Sequence, residues 1–222
     1  MGIPENLTAV RRNLPQDVCL VAVSKTKPDA DILEAYASGQ RDFGENKVQD
    51  LAGKQARLPA DIRWHMIGHL QSNKVKYLAS FVHLIHGVDS FKLLQAIHKE
   101  GEKNRRVIDC LLQVHIARET TKFGLSRDEV EGILLSGDLS ALNHVRIRGL
   151  MGMATFTDDR DQVREEFRLL RGLFDGLKAK GFAGSEAFDL KSYGMSGDYD
   201  LAVEEGSNMV RIGSLIFGSR SA

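Results

Sequence analysis

Two cysteines, four prolines and one tryptophan among 222 residues make a sparse allotment. Cys19 and Cys110 each lie inside an apolar run, so no disulfide framework staples the chain, and both read as buried thiols of a reducing compartment. No apolar stretch approaches the length that spans a bilayer, and the opening MGIPENLTAVRR lacks the basic start and apolar centre of a secretory leader. The expected location is the cytoplasm, with no membrane partner. Net charge is missing as well: thirty basic residues balance thirty acidic ones, with no like-charge run that would form a basic stripe, which argues against a nucleic-acid partner. Neither GxxxxGKS nor GxGxxG occurs, and GLMGMA fits neither cradle. His65 and His69 stand four apart, but in a segment that reads as a strand entering a loop, where that spacing does not bring two rings onto one metal. His83 and His86 read as strand-end residues, and no metal site is expected. No Pro/Gly/Ser-rich linker divides the chain, so one domain over 1–222 is expected.

What is present is alternation. Runs rich in Val, Ile and Leu recur at 18–24 (VCLVAVS), 41–45, 63–68, 82–88, 107–116, 145–154, 187–194 and 208–217, separated by stretches with helical spacing. Asp29, Ser90, Ser126, Asp158 and Ser196 stand where N-caps are wanted, and Gly39, Gly101, Gly137, Gly181 and Gly206 where helices should end. A helix over 158–180 carries Val163, Phe167, Leu170 and Phe174 as its inward stripe, and PENLTAVRRNL precedes the first strand as a cover. Eight strands with intervening helices predict an α/β fold, a (β/α)8 TIM barrel; a doubly wound open sheet is the rival, since a count of strands does not prove closure.

In a barrel the chemistry sits at the C-terminal strand ends. The last strand puts Met209, Arg211 and Gly213 on one face and the apolar Val210 and Ile212 on the other, so Arg211 points into the barrel mouth. A guanidinium there needs an anion or an acceptor; the bland partner is Asp189 or Asp109, and the functional one is a ligand. GMSGD leads into the helix DYDLAVEEG, so Ser196 serves as an N-cap, a phosphate ligand or both, with Gly213 and Ser214 closing a cradle from the other side. Alternation groups Val21, Val23 and Lys25 on one face, which puts an amine at the same mouth. A lysine amine forms a Schiff base with an aldehyde, and a phosphorylated aldehyde cofactor satisfies both ends. Lys27, two residues on, either shares the mouth or is solvated.

VAVSKTKP, FGENKVQD, WHMIGHLQSNK, HGVDS, ETTKFG, GLMGMATFTDD and GMSGDYDLAVEEGSNMVRIGSLIFG, in this order, closely resemble the pyridoxal phosphate homeostasis proteins, single-domain barrels similar to the N-terminal domain of alanine racemase. The resemblance covers nearly the whole chain. It implies pyridoxal 5'-phosphate (PLP) held as a Schiff base on Lys25, Arg211 facing the pyridine nitrogen, and phosphate binding by Ser196, Gly213, Ser214 and the backbone near Met195. It places Asn46 beside the ring and His69 at the pocket border. The sequence departs from the usual pattern at Tyr193, where a methionine is common before GMS.

An arginine at the pyridine nitrogen keeps that nitrogen unprotonated and weakens the ring as an electron sink. Racemisation also needs a proton acceptor on each face. The related racemase takes its second base from a separate C-terminal β domain, whereas this sequence ends at Ala222, and the resemblance places none of Tyr36, Tyr77, Tyr193 and Tyr199 as that base. The expected function is therefore PLP binding and homeostasis by a monomer, with PLP-dependent apo-enzymes as recipients. The alternatives are a weak or specialised amino-acid racemase and a barrel that binds another phosphate without using Lys25.

Overall fold

The computed structural model describes residues 2–118, 123–181 and 185–218; residues 119–122 of the ETTKFG motif lie outside them. The order is α1 (Ile3–Arg12), β1 (Cys19–Val23), α2 (Asp29–Ala37), β2 (Asp42–Glu45), α3 (Val48–Gln55), β3 (Arg63–Met66), β4 (Leu84–Val88), α4 (Phe91–Lys103), β5 (Ile108–Val114), α5 (Arg127–Leu135), β6 (Val145–Gly152), α6 (Arg160–Ala179), β7 (Leu190–Met195), α7 (Tyr199–Glu204), β8 (Met209–Ile212) and α8 (Ser214–Phe217). The strands are all parallel and form a closed barrel in sequence order. Closure is made by β8 against β1, with Cys19 opposite Met209 and Ala22 opposite Ile212, so the open-sheet rival falls.

Strand alternation divides the buried residues into two cores. Outward-facing residues such as Phe43, Trp64, Ile85, Leu112, Leu150, Val210 and Ile212 pack with the helices, including the predicted α6 stripe, which continues through Leu173 and Leu177. Val21, Leu84, Leu111, Met151 and Met209 form a smaller cluster inside the barrel. The remaining interior is polar: Asp42, His65, His86, Ser192 and Arg211 are all buried.

Several element ends differ from the sequence reading. The last strand stops at Ile212, and SLIF becomes α8, whose Ile216 and Phe217 are buried among the core that also holds Leu7 and Val10 of α1; an apolar run of four has no period to tell strand from helix. QSNKVKYLAS yields only a 3-10 helix, Ser72–Tyr77. Ser90 and Ser126 cap as expected, Ser126 with a full capping box through Glu129. Asp29 is instead the first residue of its helix, after Pro28, and Asp159 rather than Asp158 caps α6. Ser196 is not a cap: α7 begins at Tyr199, with Asp198 at the N-cap position. Gly101 lies within α4, where a Cβ would stand 2.9 Å from the carbonyls of both Arg106 and His144. Cys110 is buried but Cys19 is only partly so, and burial pushes its thiol up to about 12. Among the described residues, no helix is long and apolar enough to cross a membrane.

Gly149 breaks the regular β6 ladder next to β5, at a left-handed φ of +153°, where a Cβ would overlap the Leu190 carbonyl of β7. Gly149→Ala is expected to destabilise the fold by about 1–3 kcal/mol through backbone strain alone, with the overlap added, and urea unfolding monitored by circular dichroism checks it.

Candidate cofactor site

The mouth is built from the ends of β1, β7 and β8. Just past β1 the chain turns sharply, with Thr26 at φ +67° and the Lys27 amide donating to the Ser24 carbonyl at 3.0 Å. Ser24 is clamped from below: its hydroxyl donates to Glu45 Oε1 at 2.6 Å, and Lys54 Nζ donates to its carbonyl at 2.9 Å and to Glu45 Oε1 at 2.7 Å. Lys25 therefore projects, half-buried, from a strand end fixed on both sides. Lys27 is not simply solvated, because its ammonium donates to the Phe217 carbonyl at the end of α8 (2.7 Å).

Arg211 is buried inside the barrel and makes no contact with Asp189 or Asp109. Those carboxylates hold Arg148 and Arg146 at the opposite mouth. Its guanidinium instead donates to the Ser192 carbonyl (2.7 Å), the Ser192 hydroxyl (2.7 Å) and the Gly152 carbonyl (3.0 Å). Burial lowers its pKa to about 10, partly opposed by Asp198. A guanidinium at that value is still charged at neutral pH, so its own shell of neutral acceptors leaves a positive charge for an anionic or lone-pair acceptor.

Opposite it lies a cradle of backbone amides. The Met195 N–H donates to the Asp198 carboxylate at 2.6 Å, and the Gly213 N–H donates to Ser196 Oγ at 3.2 Å, which ties the β7 loop to the β8 loop. Gly194 has φ +93°, with Ala202 too close for any Cβ, and a Cβ on Gly213 would stand 3.1 Å from the Val23 carbonyl of β1. The two amides already face oxygen acceptors, one of them anionic, which fits phosphate oxygens in the same places. Ser214 follows as the exposed first residue of α8, and Asn46 is exposed at the end of β2.

The structure thus brings together Lys25, Met195, Ser196, Arg211 and Gly213, with Ser214 next to Gly213 in sequence and Asn46 at the end of β2, the strand paired with β1. It does not bring His69 to this cradle. His69 is exposed on the rim across the barrel, stacked on Phe123 with ring centroids 4.5 Å apart, its Nδ1 3.0 Å from Asp89. Tyr193 faces away from the mouth: it stacks on Phe167 (5.2 Å) and donates to the Glu205 carbonyl (3.0 Å), packing beneath the loop from outside. His65 and His69 diverge, the first inside the barrel. Donor atoms of Asp42, His65 and His83 do lie within 4.8 Å of one another, but Arg63 donates to both Asp42 oxygens, so a fixed positive charge faces any cation there.

Sequence reasoning passed over Asp198, although an Asp two residues past a GMS turn is a common amide acceptor. It also passed over the polar barrel interior, because its members come from β2, β3, β4 and β7 and share no local motif.

The sequence model described as alanine racemase, N-terminal domain, matches residues 2–221. The pyridoxal phosphate homeostasis protein of Aquifex aeolicus is 40% identical over 202 residues, covering 90% of this chain and 86% of that protein. PipY of Synechococcus elongatus PCC7942, solved with PLP bound, is 37% identical and superposes with a TM-score of 0.87 over 97% of this chain and 100% of that one. Alanine racemase of Clostridium difficile 630 is 14% identical, with a TM-score of 0.81 over 100% of this chain but 57% of the enzyme, a likeness of fold alone. The chain belongs to the pyridoxal phosphate homeostasis protein family, a branch of the alanine racemase N-terminal domain fold.

Proposed function

We propose that this protein binds PLP at the β1, β7 and β8 mouth and serves PLP homeostasis, keeping a reactive aldehyde bound and delivering it to PLP-dependent apo-enzymes. Lys25 carries the cofactor as a Schiff base. The Met195 and Gly213 amides, with Ser196 and Ser214, hold the phosphate; Arg211 faces the ring nitrogen, and Asn46 borders the pocket. The observation that carries this reading is the cradle itself, two backbone N–H groups already turned to oxygen acceptors beside an arginine held only by neutral groups. Bound PLP supplies an aldehyde carbon for amines and an electron sink for amino-acid chemistry.

Weak amino-acid chemistry follows from the same geometry. A charged guanidinium donates to a ring nitrogen and cannot protonate it, which leaves the electron sink poor. Racemisation needs a second base, and Tyr193 is committed to the Glu205 carbonyl behind the barrel wall, while Tyr36 donates to Asp61 on the outer surface. The protein acts as a monomer in the cytoplasm.

The test is an absorbance spectrum of the purified protein with added PLP, followed by borohydride reduction and peptide mapping. A visible band that reduction abolishes, with the added mass on Lys25, is expected. A protein that stays colourless, or a label on another lysine, overturns the assignment; D-amino acid formed from the L-isomer in proportion to protein would favour the racemase.

A further inference from the structure

Both backbone amides of the cradle already have acceptors, and both acceptors come from the same turn. The Met195 N–H donates to the Asp198 carboxylate at 2.6 Å and the Gly213 N–H to Ser196 Oγ at 3.2 Å, so side chains of the GMSGD loop cover its own phosphate donors. Asp198 is partly buried at the N-cap position of α7, yet its side chain makes no capping hydrogen bond to that helix. It turns back to Met195 instead. The turn does not depend on that contact, because the Asp198 amide donates to the Met195 carbonyl at 3.1 Å and the Ala202 amide to the Asp198 carbonyl at 3.0 Å.

The two acceptors respond differently to an incoming phosphate. A hydroxyl carries one hydrogen and two lone pairs, so rotation converts Ser196 from the acceptor of the Gly213 N–H into a donor to a phosphate oxygen. Asp198 has no such option. A carboxylate only accepts, so it and a phosphate oxygen compete for the single Met195 hydrogen, and two anions on one donor repel. The bond to be displaced is short and charge-assisted, which puts it in the stronger class of hydrogen bonds. The electrostatics point the same way, because Asp198 is the charge that acts on Arg211 against the effect of burial. Part of the positive field that draws a phosphate to this mouth is therefore already answered by Asp198.

We propose that Asp198 is a built-in competitor of the cofactor's phosphate, holding the Met195 amide until phosphate enters and returning to it as phosphate leaves. Affinity for PLP is thereby set below what the two amides and Arg211 would give alone. A carrier that delivers its cofactor needs a way to let go, and a carboxylate poised on the phosphate's own donor provides one within the chain. The penalty falls on the phosphate end of the ligand and not on the aldehyde end, where Lys25 acts. This role rests on the placement of the PLP phosphate at the GMSGD loop.

Titration with PLP, followed at the visible band, is compared with titration by pyridoxal, which has the aldehyde without the phosphate. Asp198→Asn keeps an acceptor oxygen for Met195 and removes the charge. It is expected to bind PLP about tenfold more tightly, the difference between a charge-assisted and a neutral hydrogen bond, and to leave pyridoxal binding unchanged. Asp200→Asn, which removes a carboxylate paired with Arg160 two residues further on, is expected to change neither. PLP affinity unchanged or weakened in Asp198→Asn, an equal gain for pyridoxal, or an equal gain in Asp200→Asn overturns the proposal. If Asp198→Asn does not fold, Asp198→Ser, which keeps an oxygen suited to the N-cap position, is read against the same control. Inorganic phosphate tests the competition without the cofactor. In proton–nitrogen spectra it is expected to move the Met195 and Gly213 amide signals of the wild type, and to do so at about tenfold lower concentration in Asp198→Asn. Equal midpoints, or no movement of those signals, overturn the competition. A wild-type protein that forms no band with PLP refutes the cofactor assignment, and the phosphate midpoints still decide the role of Asp198.

Discussion

Replacing Lys25 with alanine is expected to abolish the borohydride-reducible visible band completely while leaving the fold intact. The loss is total because the primary amine is the group that condenses with an aldehyde carbon, and a methyl side chain has no nucleophile to offer. Stability is expected to change little, because Lys25 is half-buried beyond the last residue of β1 and the strand end is held through Ser24 instead. Phosphate contacts remain, so PLP is expected to bind reversibly without the band, and its release on dilution becomes faster. Lys25→Arg should behave as the alanine variant does, because a guanidinium stays protonated and is not a carbonyl nucleophile at neutral pH. Titration of each variant with PLP, followed at the visible band and by filtration, separates covalent from reversible binding. A full band in Lys25→Ala would move the attachment point to another lysine.

The second large effect is structural. Lys54→Met is expected to destabilise the protein by about 3–5 kcal/mol, the usual loss when one member of a buried ion pair is removed and the other charge stays behind. Glu45 is fully buried and Lys54 nearly so, and Glu45 Oε2 is the one buried side-chain nitrogen or oxygen among the described residues with no hydrogen-bond partner. Without Lys54 the carboxylate keeps only the Ser24 hydroxyl. For a chain of this size the loss corresponds to a fall in melting temperature of roughly 10 °C. The double variant Glu45→Leu/Lys54→Met should recover much of it, since an apolar pair of similar volume replaces buried charges at little net cost. The same clamp holds the carbonyl and hydroxyl of Ser24, so Lys54→Met is also expected to weaken PLP retention in whatever fraction remains folded. Urea denaturation of the three proteins checks the ranking, and a Lys54→Met protein as stable as wild type would show that water relaxes the pair.

The cradle was legible where one stretch of chain carried it. VAVSKTKP placed the amine, and the alternation of Met209, Arg211 and Gly213 against Val210 and Ile212 aimed the guanidinium inward, because a period of two is a property of the strand itself. GMSGD marked the loop proposed to take the phosphate, being a glycine-opened turn before a helix. Ser196 does not take the N-cap place expected of it: Asp198 stands at that position and Ser196 bridges to Gly213, since which oxygen meets which amide depends on a turn whose dihedral angles no residue type dictates.

By itself the sequence determined the strand and helix alternation, the inward and outward faces of each strand, and the short segments that end at the mouth, since all of these follow from periodicity and local backbone preference. Only the tertiary structure decided that β8 closes on β1, that His69 belongs to the far rim with Asp89 and Phe123, and that Arg211 reaches Asp42 through Ser192, His86 and His65. Those partners lie 19 or more residues apart, on elements that the barrel brings side by side. Their distances of about 3 Å come from the stagger and tilt of eight strands together, which no local stretch of chain encodes.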